Sequence, residues 1–173
     1  MLEAFYSNII GRMNEHSELA ARLGALLAER KQTIAVAESS AGGLINAALV
    51  AVPGASSYYL GGMVIYTAAG RENFLGISKE EMKGIRSASE PFARLMAARV
   101  REKVGATWGL SETGASGPTG NRYGDAAGHA CIAVSGPAEA VITVETGSAD
   151  REANMREFTR RALQLLASCL QNQ

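Results

Sequence analysis

The segment with the clearest chemical potential is a stretch of small and polar residues, 37–43 (AESSAGG), which follows a short apolar run. Residues 33–37 (TIAVA) predict a buried strand, and residues 43–51 predict the helix that follows. Ligands of open α/β sheets bind at the carboxyl ends of strands, where a helix start also offers amides to a phosphate or an oxyanion. Ser39 could act there as a nucleophile; the alternative is that Ser39 and Ser40 only cap the helix.

A second candidate is the glycine-rich segment 111–120 (SETGASGPTG), which follows a predicted strand at 107–111. Its glycines, Gly114, Gly117 and Gly120, have neither the spacing of a dinucleotide fingerprint nor that of a P-loop. A glycine-rich loop after a strand can still form a nest of backbone amides that binds an anion. The alternative is a tight connection between two strands.

Tyr66 and Arg71 lie at and just beyond the end of a second predicted strand, at about 60–66. A phenol and a guanidinium at a strand end could orient a substrate, although composition alone favours an ordinary exposed pair. His129 begins a strand, which is typical of a buried histidine with satisfied hydrogen bonds. Cys131 and Cys169 are expected to be inert packing residues.

The composition of the 173 residues excludes several classes of protein. Seventeen basic and seventeen acidic residues give a net charge of zero, which argues against nucleic-acid binding. Two cysteines and two histidines form no ligand cluster, so no metal is expected. No apolar run approaches the ~20 residues that span a bilayer, and the start of the chain lacks the pattern of a secretory signal. We therefore expect a cytoplasmic protein without a membrane partner.

The remaining patterns predict one α/β domain over residues 1–173. Residues 15–30 have the apolar spacing of an amphipathic helix. Residues 1–14 form an N-terminal extension whose apolar side chains could cover the core or a subunit interface. The hairpin-like pair of strands near 129–135 and 140–145 indicates a mixed sheet, and alternating strands and helices indicate a layered fold.

Three polar residues are predicted to begin helices. Ser78 and Glu81 have the spacing of a capping box and predict a short helix. Ser89 precedes Pro91, which favours the start of a longer helix because proline is tolerated in the first turn. Asp150 is predicted to open the last helix of the chain.

Taken together, these segments resemble the CinA C-terminal domain, the family of nicotinamide-nucleotide amidohydrolases, or NMN deamidases. The family motifs, each followed by the residues that resemble it, are AESCTGG (37–43), xPGSS (52–56), GFVTYS (62–67), LGV (75–77), VSE (88–90), TGIAGP (113–118) and GTVWIAV (128–134). The motifs occur in register from about residue 15 to 170, which is far more specific than any one of them. In longer relatives the module follows a second domain.

The resemblance implies a three-layer α/β/α sandwich, usually oligomeric, that hydrolyses the amide of nicotinamide mononucleotide to the acid and ammonia. It implies no metal or organic cofactor, and its partners are a phosphorylated nucleotide and further copies of the chain. Carried over by position, Ser39 is the expected nucleophile, with Tyr66 and Arg71 beside it. The residues expected to bind substrate are Ser40, Gly42, Gly43, Ser89, Glu112, Thr113, Gly114 and Gly117.

The sequence departs from the family pattern where the pattern carries a lysine that is thought to deprotonate the serine. Arg71 stands there, and a guanidinium, with a pKa above about 12, is a poor base. Ser40 and Ala41 replace a cysteine and a threonine, Glu112 replaces an apolar residue, and 125–126 (DA) replaces a Lys-Pro pair. We hypothesise that Glu112 and Arg71 compensate each other as an ion pair.

Two functions follow from this pattern. The first is an active amidohydrolase in which Ser39 is assisted by another base, such as Tyr66 or Glu38. The second is a nucleotide-binding module that keeps the pocket without hydrolysis. An amidase for a different substrate is a third, weaker alternative. All three require the segments near Ser39 and Ser111 to close around the same anion.

Overall fold

Residues 16–171 form five strands and five helices. The computed structural model describes residues 16–171. In chain order the elements are α1 (Ser17–Glu29), β1 (Ile34–Glu38), α2 (Leu44–Val50), β2 (Tyr59–Val64), α3 (Ala68–Gly70, continued by a π-helical turn, Arg71–Leu75), α4 (Glu90–Val104), β3 (Trp108–Ala115), β4 (His129–Ser135), β5 (Ala140–Glu145) and α5 (Arg151–Gln171).

The strands form one mixed sheet in the order β2-β1-β3-β4-β5. β1 is parallel to both β2 and β3, whereas β3, β4 and β5 are antiparallel neighbours. The chain leaves β1 to form β2 on one side and then returns to form β3 on the other. β1 therefore lies at a topological switch point, where a crevice opens beyond the carboxyl ends of the strands.

The core has two layers because the strands bury both of their faces. One face carries Val36 and Leu110 and packs against α1, α2 and α5. The other carries Ala35 and Ala37 and packs against Phe92 and neighbouring residues of α4. Helices thus cover both faces of the sheet, which confirms the predicted α/β/α sandwich and its mixed sheet.

Most predicted elements are confirmed, and apart from β3 their boundaries differ from the predicted ones by a residue or two. Ser89 caps α4 by accepting a hydrogen bond from the Phe92 amide at 3.4 Å, and Pro91 lies in its first turn. β3 continues past residue 111 to Ala115, so part of the predicted loop belongs to the sheet. Residues 1–14, the predicted extension, lie outside the described residues.

The predicted helix at Ser78 is wrong. The reciprocal bonds of the capping box form, since the Ser78 amide donates to Glu81 at 3.0 Å and the Glu81 amide donates to Ser78 Oγ at 3.2 Å. The following turns close over three residues rather than four, and Gly84 has a φ of +77° that ends the segment. The capping box therefore forms, but the residues that follow it do not continue as a helix.

Candidate functional site

Two adjoining hollows lie beyond the carboxyl ends of β1, β2 and β3. The larger has a volume of about 480 Å³ and the smaller about 260 Å³. Ser39, Tyr66, Gly114 and Asn121 line both of them. The segment after β1 and the segment after β3 therefore meet at one place, as the sequence requires for a shared ligand.

Ser39 lies at the junction of the hollows and is half-buried. Its backbone amide donates to Glu112 Oε2 at 3.1 Å, which fixes the main chain beneath it. Its hydroxyl has no hydrogen-bond partner among residues 16–171. The hydroxyl is thus available to a ligand, and no side chain in the described part of the chain contacts it as a base.

Glu112 is fully buried under the turn that carries Ser39. Its carboxylate accepts from the Ser39 amide, from the Ala41 amide at 2.8 Å and from the Ser40 hydroxyl. Burial raises the pKa of Glu112 to about 7, against the lowering effect of these bonds. Two departures from the family pattern, Glu112 and Ser40, therefore contact each other.

The hypothesised ion pair between Glu112 and Arg71 is not formed. The Arg71 guanidinium donates to the Ile77 carbonyl at 3.2 Å and pairs with Glu72 at 3.0 Å. The three donors of the Ser39 turn occupy the Glu112 carboxylate instead. Arg71 lines the larger hollow, where its half-satisfied guanidinium still presents positive charge.

Glu38, the other suggested base, faces away from the hollows. Its carboxylate accepts from the Ile45 amide at 3.2 Å, the Asn46 amide at 2.9 Å and the Asn46 side chain at 2.5 Å. Burial raises its pKa as well. Glu38 and Glu112 thus accept from four amides of the β1–α2 turn and the start of α2, so these amides are not free to bind a phosphate as the sequence predicts.

Arg151 supplies positive charge to the smaller hollow. Its guanidinium donates to the Gly117 carbonyl at 2.6 Å and to the Tyr66 hydroxyl at 2.8 Å, which joins the first turn of α5 to both walls. The sequence analysis missed this residue. The only signal was its place directly after Asp150, and nothing in its type distinguishes it from the other arginines of α5.

The larger hollow has an apolar wall and a polar rim. The apolar wall consists of Ile65, Met82, Ile85 and Phe92, and the rim includes Ser87, Arg122 and Tyr123. The Arg122 guanidinium lies 5.1 Å from the centre of the Tyr123 ring. A flat, partly apolar ligand group fits such surroundings better than a phosphate does.

The rim is held by a polar cluster that sequence reasoning also missed. Asp125 accepts from both ends of the Arg86 guanidinium, at 2.9 Å for one of them, and from the Asn121 side chain at 2.8 Å. The side-chain oxygen of Asn121, Oδ1, accepts from the Tyr123 amide at 2.9 Å and the Asp125 amide at 3.2 Å. Arg86 and Asp125 therefore fix the loop that borders the hollow.

The other predicted site residues divide into two groups. Thr113 lines the larger hollow, Ser40 and Gly117 line the smaller, and Gly114 lines both. A side chain at 114 would meet the backbone of β4 at 2.3 Å, so glycine is required for the strand pairing.

Gly42, Gly43 and Ser89 are not among the lining residues of either hollow. Gly42 and Gly43 have positive φ angles that shape the turn into α2, and a side chain at 42 would meet Met155. Ser89 caps α4 and donates to the Arg86 carbonyl at 2.6 Å. These residues position the walls of the site rather than face a ligand.

His129 and the two cysteines are buried. His129 is buried and lies 2.5 Å from Glu145 and 2.9 Å from the Ala88 carbonyl. Burial opposes protonation, but these acceptors raise the pKa of His129 above its usual value. Cys131 and Cys169 are buried thiols whose pKa values burial raises.

Among residues 16–171, no group of histidine, cysteine and acidic side chains could hold a metal ion. None of the helices in this part of the chain is both long and apolar enough to cross a membrane.

The crevice at the topological switch point, with an open serine hydroxyl and three guanidinium groups in its lining, belongs to an α/β domain whose candidate site carries positive charge. Residues 16–170 match the family model of the CinA C-terminal domain. The chain belongs to this family.

Comparison with individual proteins agrees with this assignment. A CinA-like protein of Gloeobacter violaceus is 38% identical over 154 residues, which cover 88% of this chain and 36% of that protein. The chain thus spans about a third of the length of the curated relatives it matches.

Solved structures give the same result. A CinA superfamily protein from Escherichia coli has a TM-score of 0.83 at 25% identity, covering 89% of this chain and 90% of that one. The competence/damage inducible protein CihA from Agrobacterium tumefaciens has a TM-score of 0.81 at 27% identity, covering 91% and 95%. Both structural similarities extend over nearly the whole described part of the chain.

Proposed function

We propose that the chain binds a nicotinamide-mononucleotide-like compound in the two joined hollows and hydrolyses its carboxamide through Ser39. The observation that carries the proposal is the place of Ser39: its hydroxyl, which has no hydrogen-bond partner among residues 16–171, lies where the hollow bordered by Arg151 meets the apolar-walled one. A compound with a phosphate at one end and a flat ring amide at the other matches that division.

The smaller hollow suits the phosphate. Arg151 and the loop through Gly117 border it, and a guanidinium binds phosphate through paired hydrogen bonds. The larger hollow suits the nicotinamide ring, which can pack on Ile65 and Phe92 while Arg71 and Thr113 offer polar contacts. The ring amide then lies near Ser39, at the junction.

In the proposed reaction, Ser39 Oγ attacks the carboxamide carbon and a C–O bond forms. The tetrahedral intermediate collapses, the C–N bond breaks, and the nitrogen leaves as ammonia after taking up the serine proton. Water then hydrolyses the ester, which gives the acid and restores the serine.

Tyr66 is the residue best situated to pass the proton. Its oxygen accepts a hydrogen bond from Arg151, so its own hydroxyl hydrogen must point elsewhere, and the phenol lines both hollows beside Ser39. Arg71 does not accept a proton at neutral pH because a guanidinium stays charged. Glu38 and Glu112 are occupied by the β1–α2 turn and its helix start.

A second candidate function is ligand binding without hydrolysis. It is favoured by one observation: among residues 16–171, no carboxylate, imidazole or amine forms a hydrogen bond with the Ser39 hydroxyl. The pocket would then bind a phosphorylated nucleotide, and binding would change the stability of the folded protein or its assembly.

Release of ammonia from nicotinamide mononucleotide separates the two functions. Turnover by the wild type that is lost in Ser39→Ala, with binding of the nucleotide retained by calorimetry, supports the hydrolase. Binding without turnover in the wild type, and turnover gained in Arg71→Lys, supports the binding module. Absence of both binding and turnover contradicts both functions. Arg151→Gln removes the guanidinium of the smaller hollow and should weaken binding of the nucleotide; Arg161→Gln, which removes an arginine of α5 outside both hollows, is its matched control.

A further inference from the structure

We propose that Glu112 is a positioning residue for Ser39: its buried carboxylate holds the turn that presents the Ser39 hydroxyl to the ligand. This inference rests on the proposed function, which supplies the reaction that the positioning serves. Glu112 is absent from the linings of both hollows, so it acts through the turn and not on the ligand.

The contacts that support the proposal surround Ser39 on both sides. Glu112 accepts the amide of Ser39 at 3.1 Å and the amide of Ala41 at 2.8 Å, and it also accepts the hydroxyl of Ser40 between them. Three successive residues are thus tied to one carboxyl group on β3. The Ser39 main chain has little freedom to rotate while these bonds persist.

Glu112 and Glu38 divide the turn between them. In the parallel pairing, Ala37 lies beside Ser111, so Glu38 and Glu112 are adjacent on the same face of β1 and β3. Glu38 holds the helix end of the turn through the amides of Ile45 and Asn46. Among the side chains of residues 16–171, Glu112 is the one that accepts from the end of the turn that carries Ser39.

Among residues 16–171, no cation pairs with Glu112. Glu38 on β1 is the charged group that acts on it, and that charge opposes its ionisation. The turn and α2 contain no ionisable residue between 39 and 50, and the register partner of Glu112 on β4 is Ile132. The buried face of α5 carries one ionisable group, the Cys169 thiol, whose pKa is raised by burial. The ionised form therefore depends on the three hydrogen bonds of the turn.

This arrangement links the position of Ser39 to pH. The ionised carboxylate accepts all three bonds with its two oxygens, whereas the protonated acid has one oxygen occupied by a proton and competes less well for the amides. The pKa of Glu112 is raised to about 7 by burial. We therefore expect the turn to be best ordered above pH 7 and to loosen as the pH falls through that value.

The test compares Glu112→Gln with the wild type by steady-state kinetics on nicotinamide mononucleotide and by amide NMR of the full chain. Glutamine keeps the size of the side chain but cannot ionise. We expect kcat to fall about tenfold or more with KM changed less than about twofold, because the nucleophile is misplaced while the pocket remains. The fall of activity below pH 7 should disappear in this variant.

Two further variants keep the result interpretable if the glutamine protein is poorly folded. Ser40→Ala removes one of the three bonds and should lower kcat by a smaller factor. Glu139→Gln changes an exposed glutamate in the β4–β5 loop and should alter neither kcat nor the pH profile.

The pH titration of the amide NMR signals tests the positioning role without depending on catalysis. In the wild type, the amide signals of Ser39 and Ala41 should titrate together near pH 7, while in Glu112→Gln that titration should be lost. Persistence of the titration in the variant, or an unchanged kcat, overturns the positioning role while the hydrolase proposal stands. A wild type that binds the nucleotide but releases no ammonia overturns the hydrolase instead, and the amide titration then decides whether Glu112 orders the turn.

Discussion

Raising the pH from 5 to 8 should destabilise this protein through Glu112. The unfolded side chain has an ordinary pKa near 4.5, whereas burial raises the pKa in the folded protein to about 7. The folded state therefore binds a proton more tightly than the unfolded state. The stabilisation that protonated Glu112 contributes is fully present below pH 4.5 and is lost as the pH rises through about 7.

The size of the effect follows from the difference between the two pKa values. A rise from 4.5 to about 7 corresponds to about 3 kcal/mol, since each pH unit of difference is worth about 1.4 kcal/mol. Glu38 has a pKa raised in the same direction, also mainly by burial, and strengthens the trend. An effect of this size is a large part of the stability of a typical domain.

Urea unfolding measures the effect, with the fluorescence of Trp108 as the signal. Trp108 is the only tryptophan of the chain and is fully buried. Glu112→Gln imitates the protonated side chain, so the difference in unfolding free energy between this variant and the wild type should change by about 3 kcal/mol, most of it between pH 5 and 8. The wild type should be the one that loses stability.

Other titrating groups contribute equally to the unfolding free energies of the wild type and Glu112→Gln. Their contributions therefore cancel when one free energy is subtracted from the other at each pH. Glu139→Gln, at an exposed position, should follow the wild type at every pH. Parallel curves for the wild type and Glu112→Gln, differing by a constant amount within about 0.5 kcal/mol, would refute the reasoning. If confirmed, the pH at which Ser39 is best positioned is also a pH at which the fold is less stable.

Three other substitutions test the packing and the rim of the site. Gly114→Ala places a Cβ 2.3 Å from the backbone of β4 and should cost about 1–3 kcal/mol by thermal unfolding, whereas Gly70→Ala meets only ordinary contacts and should be harmless. Arg86→Ala releases Asp125 and should raise the KM for the nucleotide with a stability change below about 1 kcal/mol, because the pair is partly exposed. Phe158→Ala empties a fully buried position of α5 and should cost about 3–5 kcal/mol in urea unfolding, while leaving KM unchanged in the folded fraction.

Local signals in the sequence were reliable where one element depends on its own residues. The apolar run before Glu38 gives a strand that is buried throughout, and Ser89 with Pro91 begins α4. The capping pattern at Ser78 shows the limit of such signals. Its side-chain bonds form as predicted, but a helix also needs following residues that continue it, and Gly84 ends the segment after one turn.

Local sequence patterns did not predict which residues pair with the charged side chains of the site. The sequence suggested that Glu112 pairs with Arg71, because both depart from the family pattern and opposite charges attract. In the folded protein, Glu112 accepts hydrogen bonds from the turn at Ser39. Arg71 instead pairs with Glu72 and donates to the Ile77 carbonyl. Charge type alone does not determine which pair forms, since backbone amides satisfy a buried carboxylate as well as a guanidinium does.

The order of residues by itself determined the strands, most of the helices, the family and the two segments that meet near Ser39. These depend on periodicity, caps and motifs, which are properties of neighbouring residues. Only the tertiary structure decided that Arg151, from the far end of the chain, reaches Tyr66 and Gly117, and that Glu112 supports the Ser39 turn. The reason is that a buried polar group bonds to whatever donor or acceptor the packing brings within about 3 Å, and packing joins residues that are distant in sequence.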